Sequence, residues 1–324
     1  MKIISWNLKN IGTNKLPKEF GAAYSAYGLG GSCLDFITKV VTGDNGWSNI
    51  QSDNPTDIFV IIELKSGGNI QGLAGTSSCL VVLPRIVNAM NTVVAAGPDA
   101  ANYSYAAVTP LITGYHETVG IIYNTKSLKL KSSGVPQNTS TGKGITPRGP
   151  FLATFESVTD SSNTISVSGI HSPPPQGSGR LKYRKPIDFN RLLVQTGINE
   201  GTSFILGDFN CNPSSFYPGS SAGAQVKPFT NLNGFRTFIP DGTLSSVRAK
   251  MNTNPPPANY LSDAFDNILF NMATTATPES VMDLIGNARN MNAAGNPNVF
   301  ATHANTVFNA YKVLSDHLPV VIEY

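Results

Sequence analysis

Histidine, tryptophan and cysteine are scarce in this chain of 324 residues, with 4, 2 and 3 copies respectively. Three cysteines (Cys33, Cys79, Cys211) without a C-x-x-C spacing exclude a disulfide scaffold and a zinc knuckle, and leave reduced thiols or one bridge with a spare. Charge is thin as well. Asp, Glu, Lys and Arg make up 13% of the residues, about half the share of an average globular protein. The 23 basic and 20 acidic side chains leave a net charge of +3. So weak a field excludes nucleic-acid binding by bulk charge, and any anionic ligand must be drawn by local clusters. No apolar run nears the roughly 20 residues of a membrane span; the longest, Ile58 to Ile62, is strand-sized. Met1-Lys2 leads straight into Ile3-Ile4-Ser5-Trp6, which reads as a strand and not as a secretory leader. A soluble protein without a membrane partner is therefore expected, cytoplasmic by default, while the abundance of Asn, Ser, Thr and Gly keeps an exported or effector form open.

What is present is strand-forming. Short apolar, β-branched segments recur between turn residues at Lys2 to Leu8, Asp57 to Glu63, Thr118 to Tyr123, Phe151 to Phe155, Thr164 to His171, Ser203 to Leu206, Phe265 to Phe270 and Leu318 to Glu323. Helical spacing is seen in Cys33 to Val41 after the N-cap candidate Ser32, and in Cys79 to Val93, where Pro84 restricts the start. Ile187 to Ile198 and Glu279 to Ala288, each preceded by a proline, are further helices. Strands interleaved with helices predict an α/β sandwich of two packed sheets covered by helices. With no linker or repeat, residues 1–324 read as a single domain with long loop insertions at Ile11 to Gly31, Asn212 to Phe229, Asn252 to Ser262 and Asn290 to Asn309.

Acidic, amide and histidine residues gather at the ends of these strands: Asn7, Glu63, Glu117, His171, Asp208 with Asn210, Asp266, and Asp316 with His317. Strand ends on a rigid sheet can hold polar groups around a cleft. Such a set suits metal-assisted phosphodiester hydrolysis. A hard cation such as Mg²⁺ (with Mn²⁺ or Ca²⁺ as substitutes) needs only one or two carboxylates and an amide, here Glu63 with Asn7 and Asp316. His171 and His317 are the candidate proton carriers, because a free imidazole titrates near neutral pH, and Glu117 and Asp266 are spare acids to orient them. His116 points to the other face of its strand from Glu117, and His303 lies in a polar segment, so both are set aside.

The ordered set SWNLKN, IIELK, YHETVGIIY, GIHSPP, GDFNCNP, FDNILF and SDHLPV resembles the endonuclease/exonuclease/phosphatase superfamily from Asn7 to His317. Within it the likeness is greatest to pancreatic-type deoxyribonucleases. The resemblance implies a four-layered αββα sandwich of two mostly antiparallel sheets. It implies a metal at Glu63, Asn7 and Asp316, a catalytic pair His171 and His317 oriented by Glu117 and Asp266, and Asp208 and Asn210 positioning water and the scissile phosphate. Tyr115 and Arg148 would bind substrate, and Lys65 would reach into the minor groove. The sequence departs from the family in having Ile62 where a glutamine usually precedes the metal-binding glutamate, and its cysteines do not match the usual disulfides.

Two basic clusters lie near these motifs. Arg180, Lys182, Arg184 and Lys185 surround Tyr183, and Lys9, Lys15 and Lys18 follow Asn7. Charges interleaved with an aromatic ring suit a nucleic-acid backbone. The expected protein is a monomeric, divalent-metal-dependent endonuclease acting on double-stranded DNA with little sequence specificity. The alternative in the same fold is a phosphomonoesterase or phospholipase-like enzyme acting on inositol phosphates, sphingomyelin or nucleotides, and a catalytically dead binding module is the reading from outside enzymology.

Overall fold

The computed structural model describes residues 1–19, 31–43, 55–65, 79–95, 101–107, 117–135, 150–172, 202–212, 217–218, 225–226, 234–240, 242–248, 260–271, 281–285 and 308–323. The strands are β1 (Lys2–Ile11), β2 (Ile58–Lys65), β3 (Tyr103–Ala107), β4 (Glu117–Asn124), β5 (Leu128–Gly134), β6 (Phe151–Ser157), β7 (Thr164–His171), β8 (Thr202–Asp208), β9 (Tyr217–Pro218), β10 (Gln225–Val226), β11 (Arg236–Thr237), β12 (Asp266–Phe270) and β13 (Val320–Glu323). The helices are α1 (Cys33–Thr42), α2 (Cys79–Val94) and α3 (residues 308–314). Among the described residues, no helix is long and apolar enough to cross a membrane.

Two mixed sheets form the frame, a five-stranded one in the order β13-β1-β2-β4-β3 and a six-stranded one in the order β11-β12-β8-β7-β6-β5. Their pairings are antiparallel except for β1 with β2 and β7 with β8. Strand alternation sorts the side chains into two cores. Ile3, Ile58, Val60 and Ile121 of the first sheet meet Val167, Phe204, Leu206 and Ile268 of the second. Ile4, Trp6, Leu8, Phe59 and Ile61 point the other way, onto the helices. Trp6 is core, as its neighbours Phe36 and Tyr311 show, with ring centroids 6.3 and 6.5 Å away.

Local chemistry explains the helices. In α1, Ser32 and Asp35 form a reciprocal capping box, Gly43 closes the end at φ 78°, and Cys33, Phe36, Ile37, Val40 and Val41 make one buried stripe. Helix α2 begins at Cys79, ahead of Pro84, so the proline does not set its start. The helix tolerates Pro84 because Cys79, Val82, Leu83, Ile86, Val87 and Met90 bury a continuous face. Of the expected helix Glu279 to Ala288, residues 284–285 are helical but 281–283 are not: Val281 bridges to Val320 and the Met282 N–H donates to the Pro319 carbonyl, so this stretch pairs with the edge of the first sheet. The expected helix Ile187 to Ile198 lies outside the described residues. All three cysteines are buried thiols, with no bridge.

One glycine sets a register on which the site depends. In the parallel pair, Ile170 lies opposite Gly207 and His171 opposite Asp208. Gly207 has φ 139°, and a Cβ there would lie 2.1 Å from the Ile170 carbonyl oxygen. Neither strain could relax without separating the strands. Gly207→Ala should lower stability by about 3 kcal/mol, read as a reduced urea midpoint, whereas an unchanged midpoint would mean that β7 and β8 pair otherwise.

Candidate active site

Polypeptide direction places the polar residues at one end of the sandwich. β1 and β2 end there, carrying Asn7 and Glu63, as do β7 and β8, carrying His171 and Asp208. The antiparallel strands β4 and β12 start there with Glu117 and Asp266, and Asp316 and His317 immediately precede β13. The registers agree: Lys65 opposes Glu117, and Asp266 opposes Asp208.

Glu63 reaches the cleft through a bulge. Ile62 packs between the sheets and Leu64 on the helix side, so the two-residue alternation gains one extra residue between them. Glu63 is that residue, at φ 58°, and both flanking pairings shift register there. On the neighbouring strand Lys9 and Asn10 also have positive φ, 45° and 58°. Left-handed conformations are costly for such residues and cluster where a backbone must aim a side chain.

The side chains then close on one another. Asn7 Nδ2 donates to Glu63 Oε1 and to Asp208 Oδ2, at 3.1 Å each. Its Oδ1 accepts the Lys9 N–H at 2.9 Å, which fixes the amide's orientation. Asn10 Nδ2 holds the other glutamate oxygen at 3.0 Å. His171 Nε2 faces Glu63 Oε1 and Asp208 Oδ2, 3.7 Å from each, while its Nδ1 lies 3.4 Å from Glu117 Oε2. His317 repeats the pattern, with Nδ1 2.8 Å from Asp266 Oδ2 and Nε2 3.5 Å from Asp208 Oδ2. A carboxylate accepts only, so the proton between His317 and Asp266 sits on Nδ1.

Surrounding bonds fix these groups. Ser245 Oγ donates to Asp266 Oδ2 at 2.6 Å and accepts the Asp266 N–H at 3.0 Å. The His317 carbonyl accepts from Trp6 Nε1 and Tyr311 Oη, at 3.0 and 2.6 Å. Asn210, at φ 49°, donates its N–H to Asp208 Oδ1 and its Nδ2 to the Ser172 carbonyl, shaping the turn that carries the aspartate. The turn residue Ser245 and the amide Asn10 were not anticipated from the sequence. A lone serine in a polar turn carries no periodic signal, but the second Asn of SWNLKN was visible beside the first.

Electrostatics follow from burial. Desolvation pushes Asp208 up to about 6, with the Asp266 charge adding to it and both histidines opposing. Burial works against a charged His317, yet Asp266 and Asp208 outweigh it and hold the imidazole up at about 10. Asp316 is also penalised by burial, but the Lys9 ammonium 2.8 Å away and His317 hold it below the usual carboxylate range.

Glu63, His171 and Asp208 offer donor atoms within 4.8 Å of one another, and Asp208, Asp266 and His317 form a second such group. The first suits a hard cation better, because the half-buried Glu63 carboxylate and the buried Asp208 carboxylate there face each other across one amide. The second is already joined by the proton on His317. Of the expected ligands, Glu63 is central to the first group. Asn7 bridges its carboxylates, and Asp316 lies against Lys9. Lys65 is exposed at the end of β2. Tyr115, Arg148, Arg180 and Lys182 lie outside the described residues.

No protein-family model matches the sequence, and no curated protein matches it significantly. Solved structures do match over the whole chain. An endonuclease/exonuclease/phosphatase family protein from Leptotrichia buccalis C-1013-b has a TM-score of 0.55 at 13% identity, covering 100% of this chain and 98% of that one. A family protein of the same description from Bacteroides thetaiotaomicron has a TM-score of 0.50 at 14% identity, covering 99% and 96%. A functionally unknown conserved protein from Enterococcus faecalis V583 has a TM-score of 0.50 at 13% identity, covering 100% and 98%. At these identities the likeness establishes the fold alone, a sandwich of two sheets shared with those proteins.

The raised His317 has a consequence for stability. A histidine at about 10 when folded and 6.5 when unfolded stabilises the fold fully below pH 6.5, and the contribution is lost as pH rises through 10. In chelator, the stability advantage of the wild type over His317→Gln should therefore shrink between pH 7 and pH 10, as followed by urea unfolding. A gap that widens over that range would contradict the assigned protonation.

Proposed function

We propose that this protein is a divalent-metal-dependent endonuclease that hydrolyses phosphodiester bonds of DNA with little sequence preference. One observation carries the reading: two imidazoles, each backed by its own carboxylate, face one shared buried carboxylate, Asp208, at one end of the sandwich, with the half-buried Glu63 beside His171. The order of the motifs and the fold shared with endonuclease/exonuclease/phosphatase proteins support the phosphoesterase class. The resemblance of the sequence to pancreatic-type deoxyribonucleases supports the choice of DNA.

Glu63 and Asp208 would hold the cation, Mg²⁺ by preference, with Asn7 and Asn10 fixing their oxygens. When bound, the cation neutralises charge on the phosphate and the leaving oxygen. His317, kept protonated at neutral pH by Asp266 and Asp208, gives a proton or hydrogen bond to the leaving oxygen. His171, with Nδ1 turned to Glu117, presents Nε2 to the attacking water and takes its proton. Asp208, shaped by Asn210, orients that water against the phosphorus, and Asp316 steadies Lys9 at the rim.

The test is nicking of supercoiled plasmid with Mg²⁺ or Mn²⁺. Activity should vanish with chelator, and His171→Ala and His317→Ala should each fall at least about 10²-fold while keeping the wild-type fold. Glu63→Gln should need far more metal for half-maximal rate. Full activity in either histidine variant would remove the assigned roles, and hydrolysis of phosphomonoesters without nicking would replace the nuclease by a phosphatase.

A further inference from the structure

Next to the acidic centre is a cavity of about 360 Å³ lined by five lysines. Lys9 comes from the end of β1, Lys15 and Lys18 from the turn that follows, Lys65 from the end of β2 and Lys312 from α3, and among the described residues none that lines the cavity is acidic. The whole chain has a net charge of only +3, so this is a local concentration of positive charge and not a sample of the surface.

The lysines are held on a fixed framework. The Lys15 and Leu16 N–H groups donate to the Gly12 carbonyl at 3.0 and 3.3 Å, and the Lys18 N–H to the Lys15 carbonyl at 3.1 Å. The turn is tied to the start of α1 through Cys33 N–H to Lys18 O, 2.8 Å, and Leu34 N–H to Leu16 O, 3.0 Å. Leu16 is buried in the core beneath it. Lys15 Nζ donates to the Leu8 and Lys9 carbonyls at 2.9 and 2.6 Å. Burial above all, helped by the Lys9 charge, pushes its ammonium down to about 8. An anion in the cavity would relieve that penalty.

Two contacts make the cavity and the acidic centre neighbours. Asn10 lines the cavity and donates to Glu63 Oε2 at 3.0 Å. Lys9 lines it as well and pairs with Asp316 Oδ2 at 2.8 Å. We propose that this lysine-lined cavity is a subsite for a second, non-scissile phosphate of the nucleic-acid strand whose neighbouring phosphate enters the acidic centre. This rests on the nuclease reading and deepens it. Ligand sites run from about 300 to 1,000 Å³, so the cavity suits a phosphate with part of its sugar and is too small for a lipid chain. Among the described residues no aromatic ring lines it to stack a base. Lysines meet phosphate as point charges without reading sequence, so the subsite positions the strand and leaves base choice open.

The test uses Lys18→Gln/Lys312→Gln, two lining residues outside the acidic centre. Its kcat/KM is compared with wild type on supercoiled plasmid and on bis(p-nitrophenyl) phosphate, which carries one phosphate only. The loss on plasmid should exceed that on the small diester at least tenfold. In chelator, the slope of log K against log salt for a duplex oligonucleotide should fall by about one for each lysine that meets a phosphate. Equal losses on both substrates, or an unchanged salt slope, would overturn the subsite. A wild type that cleaves the small diester but neither binds nor nicks DNA would overturn the nuclease reading and this occupant with it, before any lysine is changed.

Discussion

Glu63 and Asp208, from different sheets, accept hydrogen bonds from the same Asn7 Nδ2, 3.1 Å to each. Asn7 is fully buried, so its amide must find partners within the protein, and the two carboxylates must find counter-dipoles. The residue's carbonyl accepts from Ser315 Oγ, which in turn receives the His317 N–H at 2.9 Å. One side chain and its backbone thereby join β1, β2, β8 and the segment before β13. The two sheets are packed by apolar side chains, but their mutual alignment at the reactive end is fixed by this bridge, and both imidazoles are placed relative to it.

Asp208 and Asp266, both buried, repel as like charges, and the fold does not relieve that fully. Burial pushes the Asp208 carboxyl up to about 6, and the same carboxylate helps hold His317 up at about 10. The surplus of negative charge is thus divided between an imidazolium on one side and space for a cation on the other. Asn7 and Asn10 limit how far the carboxylates can swing apart. The backbone is strained to aim these groups, since Lys9, Asn10, Glu63 and Asn210 all adopt positive φ.

Much of this was legible in the sequence because strands have a period of two and their ends are marked by turn residues. Asn7, Glu63, His171, Asp208, Asp266 and His317 each stood where an apolar alternation begins or stops, and the structure brings all six together. What periodicity hides is its own interruption. The bulge at Glu63 could not be seen, because an extra residue in a strand resembles a strand that has ended. β3 and β5 were also missed. The second is an edge strand, LKLKSSG, whose mostly exposed residues lack an apolar face to betray it. The helix across Pro84 was legible because its apolar spacing shows the buried stripe that outweighs the local cost of a breaker.

The basic turn after β1 shows how the two halves of the charge distribution depend on each other. Lys15 is fastened to the carbonyls of Leu8 and Lys9, the residues just before the left-handed pair Lys9–Asn10 is complete. The bulge that aims Asn10 at Glu63 therefore also fixes the floor of the lysine cavity. Lys9 completes the link, because its ammonium lines the cavity while its N–H fixes Asn7. Positive and negative wells are adjacent because a single distortion of β1 makes both. A polyanion entering here would meet attraction first, from the lysines. On the proposed nuclease reading its next phosphate would meet the carboxylates only once a cation had neutralised them, so strand capture and metal loading would be coupled through the geometry of one bulge.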